Sequence, residues 1–286
     1  MAASRANAGA EAVTASRNIR LLVADVDGTL VTEDKVLTDA AIAAAKALSD
    51  AGIILAIISG RPPRGMSMLI EPLGLHVAIA GFNGGVIVNP DFSVIERHPL
   101  DPETAALTLK LILDHGLDAW VYTTDTWLVR DANAPHVARE AWTVKFDATV
   151  AESFTDDILA QTIKIVGVSD DVDRIATCEK MAQNTMGAQT NAARSQPYYL
   201  DVTSRHTNKG VAVDTLSKRL NIPPEQIVTI GDMPTDVLMF EKSGFSIAMG
   251  NASDDVKAQA SVVTESNEND GFAKAVARFI LDAKSE

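Results

Sequence analysis

The stretch Arg20-Leu21-Leu22-Val23-Ala24-Asp25-Val26-Asp27-Gly28-Thr29-Leu30 decides the fold. It begins as a continuous apolar run, which is typical of a strand buried on both faces of a parallel sheet. It then turns polar, so that Asp25 and Asp27 follow the carboxyl end of that strand, where open α/β sheets bind their ligands. Gly28 and Thr29 predict a turn that points both carboxylates into the same crevice.

Further apolar runs along the chain have the same character, and helical segments lie between most of them. The segment 38–51 is rich in alanine, begins with a threonine that can cap a helix, and stops at Gly52. Strands that alternate with helices predict an α/β fold with a Rossmann-like parallel-sheet core. The predicted strands after the first are 53–58, 77–80, 227–230, 245–249 and 261–264.

The middle of the chain has a different pattern. Residues 86–205 alternate paired strands with helices, which predicts an inserted α+β cap domain with an antiparallel sheet. The core is then discontinuous and comprises residues 19–85 and 206–286, with catalytic parts on both sides of the insertion. Residues 1–18 are rich in alanine and lack the apolar centre of a signal peptide, so we interpret them as a disordered leader.

Composition restricts the possible partners. The 286 residues carry a formal net charge of −13, which disfavours nucleic acid and anionic membranes as partners. The most apolar run, 53–58, is too short to cross a bilayer. Cys178 is the only cysteine, which excludes an intramolecular disulfide and a cysteine-based zinc site. We expect a cytoplasmic protein that is a monomer or a small homo-oligomer.

The two acids of the first motif predict phosphoryl chemistry. A carboxylate such as Asp25 can attack phosphorus and form an aspartyl phosphate, and Asp27 can protonate the leaving oxygen and later activate water. Hard carboxylate oxygens beside a phosphoryl group suit Mg²⁺. A calcium loop also begins with Asp-x-Asp, but it needs Gly at its sixth position and Glu at its twelfth, where this chain has Leu30 and Val36.

Two further motifs can bind an anion at the same sheet edge. Ser59-Gly60-Arg61 follows the second predicted strand and offers a hydroxyl and backbone N–H groups, although a Ser-Gly turn after a strand is more often structural. Lys209, preceded by Asn208, begins a predicted helix. Its ammonium and the N–H groups of the helix N-terminus can together bind an anion. A lone lysine there is usually an ordinary surface residue.

The last motif, Gly231-Asp232-Met233-Pro234-Thr235-Asp236, connects the strand 227–230 to a helix. Asp232 lies on the strand side, where a metal ligand is expected. Asp236 alone is as well explained by an ordinary first-turn acid that complements the helix dipole.

Taken in order, these four motifs resemble the haloacid dehalogenase superfamily, specifically the Cof-like phosphatase subclass, which has a large α/β cap between the second and third motifs. The resemblance runs from about residue 19 to the C-terminus. Two softer matches support it, namely Phe82-Asn83-Gly84-Gly85 and Ala248-Met249-Gly250-Asn251-Ala252.

The resemblance implies a role for each motif residue. Asp25 is the nucleophile, Asp27 is the general acid and base, and Lys209 binds the phosphoryl group. Asp236 orients the metal waters or Lys209. Thr235 stands where the family usually has Asn, and its hydroxyl can donate one hydrogen bond but lacks the reach of an amide. The implied Mg²⁺ ligands are Asp25, Asp27, Asp232 and Asp236, and the implied substrate-binding residues are Ser59, Gly60, Arg61, Asn83, Lys209 and Thr235.

The resulting hypothesis is a Mg²⁺-dependent phosphatase that hydrolyses a small phosphorylated metabolite, expected to be a sugar phosphate, because a large cap encloses small substrates. A phosphotransferase or phosphomutase would use the same aspartyl phosphate, and a catalytically silent binding protein is a third reading. Candidate cap residues that contact the substrate are Tyr122, Lys164 and Arg194, with Arg61 and Arg64 from the core, and an ordinary cap side chain is the alternative for each of the first three.

Overall fold

The computed structural model describes residues 18–282, and the first 17 residues of the predicted leader lie outside this range. The described chain forms two compact units. Among these residues, each helix falls short of the length and apolar character that a bilayer crossing would require. The first unit takes residues 18–59, 68–79 and 209–282, and the second unit takes residues 60–67 and 80–208.

The strands and helices follow the predicted alternation. In chain order, the strands are β1 (Leu21–Asp25), β2 (Ile54–Ile58), β3 (Ile79–Gly81), β4 (Val86–Val88), β5 (Val94–Arg97), β6 (Asp118–Tyr122), β7 (Trp127–Val129), β8 (Thr149–Val150), β9 (Lys164–Val168), β10 (Thr190–Gln196), β11 (Tyr199–Ser204), β12 (Ile227–Gly231), β13 (Phe245–Ala248) and β14 (Val262–Val263). The helices are α1 (Asp39–Asp50), α2 (Ser67–Ile70), α3 (Pro102–Asp114), α4 (Val137–Val144), α5 (Asp156–Leu159), α6 (Val172–Met186), α7 (Lys209–Leu220), α8 (Pro234–Phe240), α9 (Asp254–Lys257) and α10 (Gly271–Ala275).

The first unit contains a parallel sheet in the order β14-β13-β12-β1-β2. Every residue of β1 is buried, as its continuous apolar sequence predicts. Helix α1 begins where Thr38 Oγ1 accepts a hydrogen bond from the Ala41 amide, and Gly52 follows it with a φ of +71°. Helices α1 and α10 pack together, as do α7 and α8. The Rossmann-like α/β prediction is therefore confirmed.

The register of this sheet brings three motifs to one edge. Asp25, the last residue of β1, pairs with Ile58, so Ser59 follows at the same level. On the other side of β1, Ala24 pairs with Ile230 of β12. The residues that follow β12 therefore begin at the same edge of the sheet as Asp25 and Ser59. Parallel strands that end together place the side chains beyond them around one crevice.

The second unit contains a six-stranded sheet in the order β10-β11-β9-β6-β7-β8, together with the hairpin of β4 and β5. The sheet is antiparallel except that β8 runs parallel to β7. Because side chains alternate along a strand, one face carries Val121 and Ile165, which join the apolar core with residues of α3 and α6. The other face carries Trp120, Tyr122 and Lys164.

The short segment 60–67, which follows the second motif, groups with the second unit. Its contacts explain this placement: the Phe82 amide donates to the Arg61 carbonyl at 2.8 Å, and Gly65 packs against Val144 of α4. These are long-range contacts, so a sequence pattern does not reveal them.

Candidate active site

A tight turn after β1 sets the direction of the first motif. The amides of Thr29, Leu30 and Val31 donate to the Val26 carbonyl at 3.4, 3.0 and 3.1 Å. Gly28 has a φ of +82°, a conformation that favours glycine. A Cβ at Gly28 would also overlap with the Asp232 carboxylate, so this glycine lets the two motifs approach each other.

Lys209 links the first and last motifs through two buried ion pairs. Its Nζ lies 2.6 Å from Asp25 Oδ1 and 2.5 Å from Asp236 Oδ1. The Lys209 and Asp25 side chains are only 4% and 5% exposed. The second oxygen of Asp236 accepts hydrogen bonds from the amides of Asp232 and Met233 at 2.9 and 2.8 Å. Asp236 is thus held at the start of α8 and in turn holds Lys209.

Three carboxylates form a cluster that could hold a metal ion. One oxygen from each of Asp25, Asp232 and Asp236 lies within 4.8 Å of the others. Asn251 Nδ2 donates to Asp232 Oδ2 at 3.1 Å and so orients that carboxylate. An all-oxygen donor set of this kind suits a hard cation such as Mg²⁺. Because Asp236 already accepts three hydrogen bonds, its geometry fits the role of orienting Lys209 better than that of a direct ligand.

The electrostatics of the cluster also fit a bound cation. Burial raises the pKa of Asp25 well above its ordinary value, Lys209 opposes this rise, and Asp236 and Asp232 add to it. Burial, followed by the charge of Asp236, raises the pKa of Asp232 to about 7. Burial alone would lower the pKa of Lys209, but Asp236 and Asp25 outweigh it and raise this pKa. Three carboxylates face one ammonium, so a dication would offset the excess negative charge.

Asp27 lies in a different environment from Asp25. Its side chain is 32% exposed, and its Oδ1 lies 2.8 Å from Lys35 Nζ. The segment that carries Lys35 returns to the motif through bridges of Val31 with Asp27 and Leu37. Lys35 has a φ of +58°, which is uncommon outside glycine. The sequence did not point to Lys35, because only the return of the chain brings it to Asp27.

Two asparagines, Asn251 and Asn267, hold the turn that follows β1 through hydrogen bonds. Asn251 Nδ2 also donates to the Gly28 carbonyl at 3.0 Å, and Asn251 Oδ1 accepts from the Asn267 amide at 3.1 Å. Asn267 Nδ2 donates to the Val31 carbonyl at 3.0 Å. Asn251 lies in a stretch that the sequence singled out only as a softer match. The structure gives it a specific place, between Gly28 and Asp232.

The remaining predicted residues divide between the two units. Ser59 is buried directly after β2 in the first unit, and Thr235 is an exposed residue in the first turn of α8. Gly60, Arg61 and Asn83 belong to the second unit. There the buried Arg61 donates through Nη1 to the Gly65 carbonyl at 3.1 Å. A Cβ at Gly60 would lie 3.6 Å from Asn83 Oδ1, so these two residues are neighbours.

The candidate cap residues already have partners within the second unit. Arg64, from segment 60–67, stacks its guanidinium over the Phe146 ring at 4.9 Å. The other pairs are Tyr122 Oη with Glu140 at 2.9 Å, Lys164 with Asp201 at 3.1 Å, and Arg194 with Glu179 at 2.9 Å.

Comparison with known proteins identifies the family. The family model described as haloacid dehalogenase-like hydrolase matches residues 22–276 of this chain. The chain belongs to the haloacid dehalogenase-like hydrolases. The match spans the parallel sheet, the acid cluster and the inserted second unit, so the whole described architecture is that of this hydrolase family.

Individual haloacid dehalogenase relatives are similar over almost their full length. A 5-amino-6-(5-phospho-D-ribitylamino)uracil phosphatase of Bacillus subtilis (strain 168) is 27% identical over 265 residues, covering 92% of this chain and 97% of the relative. A pyridoxal phosphate phosphatase of Escherichia coli (strain K12) is 26% identical over 272 residues, covering 92% and 99%. A haloacid dehalogenase-like hydrolase structure from Bacteroides thetaiotaomicron has a TM-score of 0.84 at 26% identity, covering 91% and 99%.

Proposed function

We propose that this chain is a Mg²⁺-dependent phosphatase that hydrolyses a small phosphorylated metabolite through an aspartyl phosphate on Asp25. The observation that carries the proposal is the buried contact of Lys209 with both Asp25 and Asp236, beside Asp232. A buried carboxylate at the end of a central strand, with a cation on one oxygen, is suited to nucleophilic attack on an electron-poor centre.

In the first half-reaction, an oxygen of Asp25 attacks phosphorus and the ester oxygen leaves. Lys209 holds Asp25 in position and offers its charge to the phosphoryl oxygens. Asp27, two residues further on and partly exposed, donates a proton to the leaving oxygen. Ser59, at the neighbouring strand end, supplies a hydroxyl for the phosphoryl group.

In the second half-reaction, Asp27 takes a proton from water, which attacks the phosphorus of the aspartyl phosphate and releases inorganic phosphate and Asp25. Mg²⁺ bound by Asp25, Asp232 and the Asp27 carbonyl would supply positive charge that screens the anionic substrate from these acids. Asn251 keeps Asp232 oriented for this role through its 3.1 Å hydrogen bond. Asp236 holds the Lys209 ammonium in position during both half-reactions.

The fold and the relatives support the proposed substrate class. The relatives include a phosphatase of a ribitylaminouracil phosphate and one of pyridoxal phosphate, and a neighbouring structure, 22% identical with a TM-score of 0.77, is that of a sugar phosphatase. The substrates for which these proteins are named are compact phosphate monoesters. We therefore propose a small phosphorylated metabolite for this chain, with a sugar phosphate as the first candidate.

A direct assay tests the proposed function. Purified protein is incubated with p-nitrophenyl phosphate and with a panel of sugar phosphates and other phosphorylated metabolites, with and without Mg²⁺, and inorganic phosphate is measured. We expect Mg²⁺-dependent release of phosphate, and we expect Asp25→Asn to abolish it while the fold is retained. Phosphate release that is undiminished in Asp25→Asn would rule out the nucleophile.

A further inference from the structure

A second buried lysine lies in the second unit, and the proposed mechanism does not use it. Lys164 is the first residue of β9 and is 7% exposed. An ammonium that is removed from water is strongly unfavourable unless other groups compensate it. The groups around Lys164 therefore indicate what it does.

Four groups surround the Lys164 ammonium. It donates to Asp201 Oδ2 at 3.1 Å and to the Gly60 carbonyl at 3.4 Å. It also lies 5.0 Å from the ring centre of Tyr122 and 5.7 Å from that of Phe82, within the range of cation–π attraction. One carboxylate balances its charge, and the contact with Gly60 joins it to a residue that is 104 positions away in the chain.

The contact with Gly60 controls the orientation of the second motif. The peptide group between Gly60 and Arg61 is planar and trans, so its carbonyl and its N–H point in opposite directions. A donor that fixes the Gly60 oxygen therefore also fixes the direction of the Arg61 N–H. The next carbonyl, that of Arg61, accepts from the Phe82 amide at 2.8 Å. Two successive carbonyls after Ser59 are thus held by residues of the second unit.

We propose that Lys164 is a positioning residue, which orients the Ser59-Gly60-Arg61 turn for binding of the phosphoryl group while staying paired with Asp201. The inference rests on the proposed function, because it concerns the phosphoryl site of that reaction. It differs from a role in which the ammonium contacts the rest of the substrate. A positioning residue affects every phosphate ester alike, whereas a direct contact affects only esters whose organic part it reaches.

The test compares Lys164→Met and Lys164→Gln with the control Lys110→Met, which removes an exposed lysine paired with Asp114 in the same unit. The measurements are kcat and KM for p-nitrophenyl phosphate and for the best metabolite, and the Kd of inorganic phosphate by calorimetry. We expect Lys164→Met to weaken phosphate binding and to reduce kcat/KM for both esters by a common factor, up to on the order of 100-fold. Glutamine should restore part of this loss, because its amide can donate to the Gly60 oxygen.

Asp201→Asn provides a second arm if Lys164→Met does not fold, as judged by circular dichroism. It leaves the Gly60 contact available, so we expect a smaller loss than for Lys164→Gln. An unchanged phosphate Kd in the folded variants overturns the proposal, and so does a loss confined to the metabolite. A wild-type protein that binds phosphate but cleaves no ester contradicts the proposed function instead, and the phosphate Kd of the variants still decides the role of Lys164.

Discussion

Within residues 18–282, each of the two units buries one lysine against aspartate, and the two sites differ in their charge balance. Lys209 in the first unit faces Asp25 and Asp236, with Asp232 close by. Lys164 in the second unit faces Asp201, and two aromatic rings and a carbonyl complete its surroundings. The first site retains excess negative charge, while the second is balanced. Only the first therefore has an electrostatic reason to attract a cation, which in turn can attract a phosphoryl group.

The difference shows how to distinguish a reactive buried ion pair from a structural one. A balanced pair enclosed by aromatic rings, such as Lys164 with Asp201, stabilises one geometry and carries no excess charge. An unbalanced cluster carries a cost in the metal-free state, which appears as the raised pKa of Asp25 and Asp232. The two lysine sites should therefore differ in how substitutions change activity and in how stability responds to Mg²⁺.

The largest effect is expected at the nucleophile. Asp25→Asn removes the attacking carboxylate, so kcat for p-nitrophenyl phosphate should fall by at least about 1,000-fold. The melting temperature should not fall much, since the change also removes a buried charge. Asp114→Asn, which alters an exposed pair with Lys110, is the matched control and should keep full activity. Comparable activity of the two variants would contradict the assignment of Asp25.

The second-largest effect is expected on stability, when Lys209 and Lys164 are each replaced by Met. Lys209→Met leaves Asp25 and Asp236 buried without their cation, which should lower the unfolding free energy of the metal-free protein by about 3 to 5 kcal/mol. Added Mg²⁺ should recover part of this stability, because Asp25 is one of its proposed ligands. Lys164→Met keeps the acid cluster intact, so Mg²⁺ should stabilise this variant by no more than it stabilises the wild type. Urea unfolding with and without Mg²⁺ measures the unfolding free energy of each variant. An equal gain in stability on adding Mg²⁺ to the two variants would contradict the proposed difference between the two lysine sites.

A smaller effect concerns pH. The pKa of Asp232 is raised to about 7, so between its ordinary value of 3.8 and about 7 the folded protein holds a proton that the unfolded chain has released. The unfolding free energy of the metal-free protein should therefore fall as the pH rises through this window. Because a metal ligand must be ionised, Mg²⁺ should raise the melting temperature more at about pH 8 than at about pH 6.

Asp232→Asn is the control for this pH effect. The amide does not titrate, so the variant should lose most of the pH dependence of the Mg²⁺ response. Thermal unfolding of both proteins at the two pH values decides the matter. An equal response of the wild type at both values would show that Asp232 is not the titrating ligand.

The smallest effect is expected at Lys35, whose pair with Asp27 is partly exposed. Such pairs contribute about 0 to 1 kcal/mol, so Lys35→Ala should change kcat by less than about fivefold and leave the melting temperature nearly unchanged. Asp27→Asn should lose most activity, because a proton moves in both half-reactions. A Lys35→Ala loss as large as that of Asp27→Asn would make Lys35 part of the reaction.

Local signals were enough to predict the core of the site. Asp25 and Asp232 each follow an apolar strand, and parallel strands end at a common edge, so their proximity followed from the pattern. The alternation of strands and helices predicted the α/β class, because each strand and helix is marked by a local pattern of apolar residues. These features depend on short segments of sequence and on the regular geometry of a sheet.

Long-range contacts account for what the sequence did not reveal. Lys35, Asn251 and Lys164 each act through a segment that returns from elsewhere, and no spacing rule connects them with their partners. The grouping of residues 60–67 with the second unit has the same cause. The sequence marked Lys164 only as a candidate contact of the substrate, and its hydrogen bond to the Gly60 carbonyl is what points to a different role.

The ion pair of Lys209 with Asp25 joins residues that are 184 positions apart. During synthesis, β1 can pair with β2 early, but its other edge has no partner until β12 emerges, after the whole second unit. An apolar strand with an open edge is prone to pair with other chains. The insertion therefore sets the timing of folding, and aggregation of the nascent first unit is the hazard that this order of assembly creates.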